Sequence, residues 1–275
     1  LTNSLFDIYN CSQQNVTGIW VSLHPEAQAD YTGIQGDLCA ITDDVWVSPL
    51  GSDSFGFGTE NSPVKTIKNA LKIIAPTDEN PITIHLDEGI FSPSSNGETF
   101  PIRMISNVNF NGEGEELSAL NAEYTARVII LENCNNNIIS NLKIEGGIPP
   151  GIFSDNSGGG ISAVFSNPTI NNVTFSENIA ISGAGINLYE SNAILNYVTI
   201  SENTAHLSGG GISIISSNTT LNYVTIIDNN STVGRGGGMY IDSSNPILNF
   251  VDVTGNVAVD WGGGIVLFNS NSILT

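Results

Sequence analysis

Five times in its second half the chain repeats one short pattern at nearly constant spacing. A glycine triplet (once Gly-Ala-Gly) ends at Gly160, Gly185, Gly211, Gly238 and Gly264, in steps of 25, 26, 27 and 26 residues. Asparagines run in phase with it. One column is Asn167, Asn192, Asn218, Asn245 and Asn271, a second is Asn171, Asn196, Asn222 and Asn249, and a third is Asn178, Asn203, Asn229 and Asn256. Such a period marks an array in which each repeat is one structural unit that buries its apolar face on its neighbours.

Inside each repeat the apolar residues alternate. Ile161, Ile186, Ile212, Met239 and Ile265 follow the glycines, and Ala163, Leu188, Ile214, Ile241 and Leu267 come two positions later. Val173/Phe175, Val198/Ile200, Val224/Ile226 and Val251/Val253 repeat the same spacing. A period of two means strands with one buried face. No stretch between repeats is long or apolar enough for a crossover helix. One coil per repeat, with equivalent strands stacked in parallel about 4.8 Å apart, is the economical solution. Stacking places like on like, so the asparagine columns become amide ladders. Ala180, Ala205, Ser231 and Ala258 form a small-residue column, and the glycine column marks a bend that a Cβ would obstruct.

Towards the N-terminus the pattern weakens. Leu142-Lys143-Ile144 aligns with Val173-Thr174-Phe175, Val108-Asn109-Phe110 aligns one coil earlier, and Ile82-Thr83-Ile84-His85-Leu86 is the expected first strand. The stretch Ile148-Pro149-Pro150-Gly151 through Asn156 reads as an insertion bulging from one corner. Roughly eight coils follow from this count. A helix is expected over 62–75, with Ser62 as N-cap, Pro63 at the first helical position, Val64, Ile67, Leu71 and Ile74 on one face, and Pro76 ending it. Placed before the first coil, it would cap edges that invite aggregation. The expected organisation is an N-terminal segment, 1–44, of unknown type, then a parallel β-helix domain, 45–275, regular over 158–275.

Two stretches carry a resemblance. Trp46-Val47-Ser48-Pro49-Leu50-Gly51-Ser52-Asp53, with Gly58-Thr59, Pro63, Thr66-Ile67 and Ala70-Leu71, resembles the N-terminal module of many secreted β-helix proteins. Gly183-Ala184-Gly185-Ile186 and Phe175-Ser176-Glu177-Asn178 resemble the short paired motifs of polymorphic outer-membrane proteins. Later coils keep the asparagine and replace the phenylalanine by Ile200, Ile226 or Val253. Together they resemble the right-handed parallel β-helix of the pectin-lyase-like superfamily over residues 45–275. That resemblance implies an all-β, right-handed solenoid of 25–27 residues per coil. It leaves function open, because the architecture carries lyases, hydrolases, epimerases, tailspikes and adhesins.

Charge narrows the partners. Seven Lys and Arg against 27 Asp and Glu give a net charge of −20. Nucleic-acid binding needs cation clusters, and none is present. A polyuronate or an anionic membrane would be repelled unless Ca²⁺ bridged the charges. No apolar run has the length of a membrane span. Surface charge gives way to Asn and Gly, 34 and 29 residues, which suits turns. Cys11 and Cys39 could pair in an extracellular setting. Cys134 reads as a small buried residue, and the cysteine spacings fit no zinc site.

Candidate functional residues follow from stacking. Glu177, Glu202 and Asp228 share one repeat position, so they form an acidic file about 5 Å apart. That suits a Ca²⁺ bridge or a carboxylate pair, or it is simply a solvated row. Asn172, Tyr197, Tyr223 and Phe250 read as an outward column beside Thr174, Thr199 and Thr225. A flat aromatic and hydroxyl face of this kind would stack sugar rings or dock a second solenoid; ordinary strand propensity would also produce it. Among the histidines, His206 reads as a turn residue. Arg235 is the one cation of the regular coils, with no carboxylate cluster beside it in the repeat, so no catalytic set is assigned and no cofactor other than Ca²⁺ is suggested. Two functions remain. One is a non-catalytic extracellular or cell-surface module: a stalk, an adhesin or an assembly component able to bind glycan. The other is a lyase or glycoside hydrolase acting on a largely neutral polysaccharide. The sequence stops mid-coil at Ile273-Leu274-Thr275, which suggests continuation into a larger polypeptide or packing on a neighbouring subunit.

Overall fold

The computed structural model describes residues 40–150 and 156–274. Cys11, Cys39 and the rest of 1–39 lie outside the described residues, as does much of the expected insertion. The architecture is an all-β right-handed parallel solenoid. Its largest sheet runs from Val45–Val47 through Ile82–Leu86, Val108–Gly112, Ile138–Glu145 and Thr169–Ser176 to Ile273–Leu274. A second sheet has seven strands, from Ile102–Arg103 to Ile265–Phe268, and a third has four. The solenoid therefore makes about seven turns, one fewer than the sequence spacing suggested.

One coil shows how the chain turns. Strand Ile186–Tyr189 lies in the second sheet, Ile194–Asn196 and Thr199–Ser201 in the first, and Thr204–Ser208 in the third. Between them stand four residues in the left-handed region: Gly183 (φ 56°), Glu190 (47°), Tyr197 (55°) and Glu202 (57°). The same four corners recur at Gly209, Ser216, Tyr223 and Asp228, then at Gly236, Ser243, Phe250 and Gly255. Left-handed φ costs a non-glycine residue about 1 kcal/mol or more. The coil bears that cost because corner contacts repeat in every layer.

The glycine triplet turns out to do two things. Its first member is a left-handed corner. Its third is not a bend: a Cβ on Gly211 would lie 2.8 Å from the Gly238 carbonyl oxygen of the next coil. That position is a close approach between coils.

Equal residues do stand on one another. Ile186 pairs with Ile161 and Ile212, and Leu188 with Ala163 and Ile214. Ala180, Ala205, Ser231 and Ala258 are in register in the third sheet. The interior is apolar from Val45 to Leu248. In the last turn the inward side chains lose their cover, and Leu267 is 48% exposed.

Three expectations about the N-terminal half need correction. The strand Ile82–Leu86 is not first, because Val45–Val47 pairs outside it. Val108–Gly112 stacks by Phe110 on Ile139, so it belongs half a strand earlier than its alignment with Leu142-Lys143-Ile144 implied. It is Ser118–Asn121 that lies under Lys143 and Ile144. The helix spans Ile67–Ile73, not 62–75, with Thr66 as N-cap accepting from the Asn69 amide at 3.1 Å. Ser62 and Val64 are extended instead: Val64 makes a parallel bridge with Val47, and Ser62 an antiparallel one with Thr59. Sheet pairing takes those residues from the helix. Asp53 then accepts from the Lys65 and Thr66 amides and the Thr66 hydroxyl, fixing the start. The helix buries Ile67 and Ala70 against the main core cluster.

Candidate functional site

The asparagine columns form three ladders, each with different chemistry. In the innermost, Asn203 Oδ1 accepts from both the backbone amide and the side-chain Nδ2 of Asn178, each at 3.0 Å. Asn229 repeats this for Asn203, and Asn256 for Asn229. Asn178, Asn203 and Asn229 are fully buried. Asn171, Asn196, Asn222 and Asn249 form an outer, half-buried amide ladder with 2.7 Å links. In the column Asn167, Asn192, Asn218, Asn245 and Asn271, each Oδ1 accepts from the backbone amide of the equivalent asparagine one coil on, up to the Asn271 amide. A fourth ladder was missed in the sequence: Ser166, Ser191, Ser217, Ser244 and Ser270 accept from the equivalent amide one coil before. The constant offset from the left-handed corner was its only signal. Cys134 fills the foot of that column, buried, with its thiol pushed up from its ordinary pKa by burial.

The aromatic column is real, but it is not a flat strand face. Tyr197, Tyr223 and Phe250 are left-handed corner residues, each at least half exposed. Tyr197 and Tyr223 stack at 5.0 Å and 3°, and Tyr223 and Phe250 at 4.9 Å and 6°. The column extends backwards as Asn172 and Asn141, whose amides are linked at 3.1 Å. Each ring thus spends its face on the next ring. Thr199 and Thr225 stand in register on the strand just past this corner.

Glu177, Glu202 and Asp228 occupy the fourth corner and are exposed. Among the described residues no set of three or more His, Cys, Asp or Glu side chains converges as a metal site. Arg235 has a carboxylate after all, from the next coil: its Nε lies 2.9 Å from Asp260 Oδ2, and its guanidinium sits 4.2 Å over the Trp261 ring. His206 lies exposed on a strand rather than in a turn.

A polar constellation lies where the repeat loses its regularity. Lys143 points out from the first sheet, and its Nζ is 2.7 Å from Glu145 Oε2. Asn121 Nδ2 donates to Glu145 Oε1 at 2.9 Å. Tyr124 is a left-handed residue whose phenol donates to Glu177 Oε2 at 3.1 Å. Thr174 Oγ1 donates to Glu115 Oε2 at 2.6 Å, which brings the loop before Ser118–Asn121 over the same face. The hydrogen bond to Glu145, and then the charges of Glu145, Glu177 and Glu116, hold the Lys143 pKa above its usual value despite lost water. Loss of water, the Glu177 hydrogen bond and nearby carboxylates raise the Tyr124 phenol. Lys143 is therefore an ammonium at neutral pH, suited to hold charge and not to take a proton. Among the sequence candidates only Glu177 belongs here. The rest was illegible because three coils of unlike sequence contribute.

These features define a right-handed parallel β-helix. The family described as right handed beta helix region matches residues 105–275, and the chain belongs to it. A second family, described as a protein of unknown function, matches residues 50–119. No curated protein matches the sequence. Among solved structures, the pectin methylesterase PemA from Erwinia chrysanthemi is similar at 12% identity and a TM-score of 0.41. That match covers 85% of this chain and 90% of that one. Jun a 1, the major allergen from cedar pollen, is similar at 11% identity and a TM-score of 0.42, covering 84% and 77%.

Proposed function

We propose that this chain is a non-catalytic extracellular or cell-surface module, a stiff β-helical rod of the stalk, adhesin or filament type. The observation that carries this reading is the set of amide and hydroxyl ladders running through successive coils. They commit the ladder asparagines and one serine of each regular turn to holding the next turn. The resemblance of 46–71 to modules of secreted β-helix proteins supports the location. The acidic surface keeps such rods apart and soluble. Glycan contact at Tyr197, Tyr223, Phe250, Thr199 and Thr225 is part of the same proposal. Ring edges and the outer face of Phe250 are what the stack leaves to a sugar. Ca²⁺ on the file Glu177, Glu202 and Asp228 is a further proposal, which calcium titration followed by melting would check.

One observation favours a second reading, a lyase or glycoside hydrolase of neutral polysaccharide. Lys143, Tyr124, Glu145 and Glu177 lie together on an outward face. The test combines surface labelling of intact source cells with a digestion panel of neutral polysaccharides. Surface label without new chain ends supports the rod. Chain cleavage that is lost in Glu145→Gln and Glu177→Gln overturns it.

A further inference from the structure

In the irregular half an amine and a carboxamide meet on one carboxylate. Leu120 and Ile144 are paired and fully buried, so strand alternation turns Asn121, Lys143 and Glu145 to the outer face, with Asn121 in register beside Glu145. Lys143 Nζ donates to Glu145 Oε2 at 2.7 Å, and Asn121 Nδ2 donates to Glu145 Oε1 at 2.9 Å. The two oxygens of a single carboxylate thus hold an amine and an amide side by side. The Lys143 and Glu145 side chains are only 32% and 15% exposed. The amide is also fixed at its other end. Asn121 Oδ1 accepts from the Glu123 backbone amide at 2.8 Å. Gly146 packs against it so closely that a Cβ there would lie 2.5 Å from Oδ1. An ion pair by itself would need neither the bound amide nor the donor on its carbonyl oxygen.

We propose that the folded chain joins Lys143 to Asn121 by an isopeptide bond, with Glu145 carrying the proton. The Lys143 ammonium passes one proton to Glu145 Oε2, and the freed Nζ lone pair attacks Asn121 Cγ. The carbonyl electrons move onto Oδ1, where the Glu123 N–H stabilises the charge. Glu145 hands its proton to Nδ2, the carbonyl re-forms, and the Cγ–Nδ2 bond breaks to release ammonia. The extra proton on the new amide nitrogen passes to the Glu145 carboxylate and on to the ammonia, which leaves as ammonium. Nothing is oxidised or reduced, and no co-reactant is needed. Glu145, with the charges of Glu177 and Glu116, holds the resting proton on Lys143, so each attempt is rare. One event per chain suffices, and fixed neighbours stand in for a high concentration of reactants. The bond ties strand Ser118–Asn121 to strand Ile138–Glu145 where the repeat is irregular. It does so under either reading of the function, since it concerns the chain's own side chains.

The experiment is mass spectrometry of the whole chain, reduced after being held folded at neutral pH until its mass stops changing. The expected mass is that of the sequence less one ammonia. Trypsin should no longer cut after Lys143, and the peptide ending at Arg127 should be found joined to that lysine. Lys143→Arg and Asn121→Ala should keep their full mass. Glu145→Gln keeps the side-chain shape and removes the proton carrier, so it should slow the ammonia loss about hundredfold. Its circular dichroism should match that of the parent. The parent's own mass decides even if a variant misfolds: a full, unlinked mass overturns the proposal. So does ammonia loss that maps only to another asparagine, or loss of water in place of ammonia, which would mark an amide between Lys143 and Glu145. An unchanged rate in folded Glu145→Gln overturns it as well.

Discussion

Asn203 holds three coils at once. Its Oδ1 serves Asn178, its amide donates to Asn229 Oδ1, and its Nδ2 reaches the carbonyls of Phe175 and Ser201. Asn178, Asn203, Asn229 and Phe175 are all out of reach of water. Asn203→Ala should therefore cost about 3 kcal/mol or more, since several buried groups lose partners together. Asn222→Ala, in the half-buried outer ladder, should cost about 1 kcal/mol because water replaces the amide. Denaturant midpoints of the two variants decide this, and equal losses would refute the burial argument. Glu98 is a different kind of residue. It is 1% exposed, and its carboxylate accepts from the amides of Ile67, Lys68 and Thr99. Burial outweighs those bonds and raises its pKa above 4.5. The folded chain thus holds this proton more tightly than the unfolded chain. Its contribution is full below the unfolded pKa and is lost as pH rises through the folded value. Glu98→Gln, with one acceptor for three amides, should cost about 1–3 kcal/mol at pH 7. The gap to the parent should widen as pH falls from 7 to 4.5. A gap in melting temperature that narrows with acid would show the opposite linkage.

At the scale of the element, the corners decide which residues are tolerated. Tyr223 is left-handed at φ 55°, and Asn141 and Asn172 hold the same corner in earlier coils. Asparagine accepts that conformation readily, whereas a β-branched residue does not. Tyr223→Asn, made in a host without N-glycosylation, should lose about 1 kcal/mol, the worth of the ring contacts. Tyr223→Val should lose about 2–3 kcal/mol, because strain adds to the lost stacking. Similar melting temperatures for the two would mean that stacking, not the backbone, governs the corner. The helix teaches the same lesson. Ser62, Pro63 and Val64 make a good helix start by local rules, yet pairing of Val64 with Val47 draws them into the sheet. Local propensity yields where a buried sheet edge needs a partner.

At the scale of the molecule, stability passes from coil to coil by nearest-neighbour contact. The middle turns are covered on both sides, while Leu267 and Ile273 near the last turn are about half exposed. In a polypeptide of these 275 residues, amide exchange should therefore be slowest near Ile186 and Ile212 and fastest near Ile265 and Ile273. Uniform protection would show that the rod opens as a single unit. Gly211→Ala, which pushes a Cβ to 2.8 Å from the Gly238 carbonyl oxygen, should cost about 1–3 kcal/mol. Its exchange should speed up most in the coils on either side of the substitution.

By itself the sequence determined the coil. A fixed period, alternation of two and asparagines in phase leave one arrangement that buries the alternating apolar columns and stacks the asparagines in ladders, so the register of residues 158–274 was legible almost position by position. Only the tertiary structure decided where Phe110 stacks, that the aromatic column is a file of left-handed corners, and that Tyr124, Lys143, Glu145, Ser176 and Glu177 share one face. The physical reason is that a repeat writes contacts between equivalent positions into the sequence as a spacing. The candidate site joins unequal positions from coils of unequal length, Ile129 to Ile161 being 32 residues apart. No spacing encodes a contact of that kind.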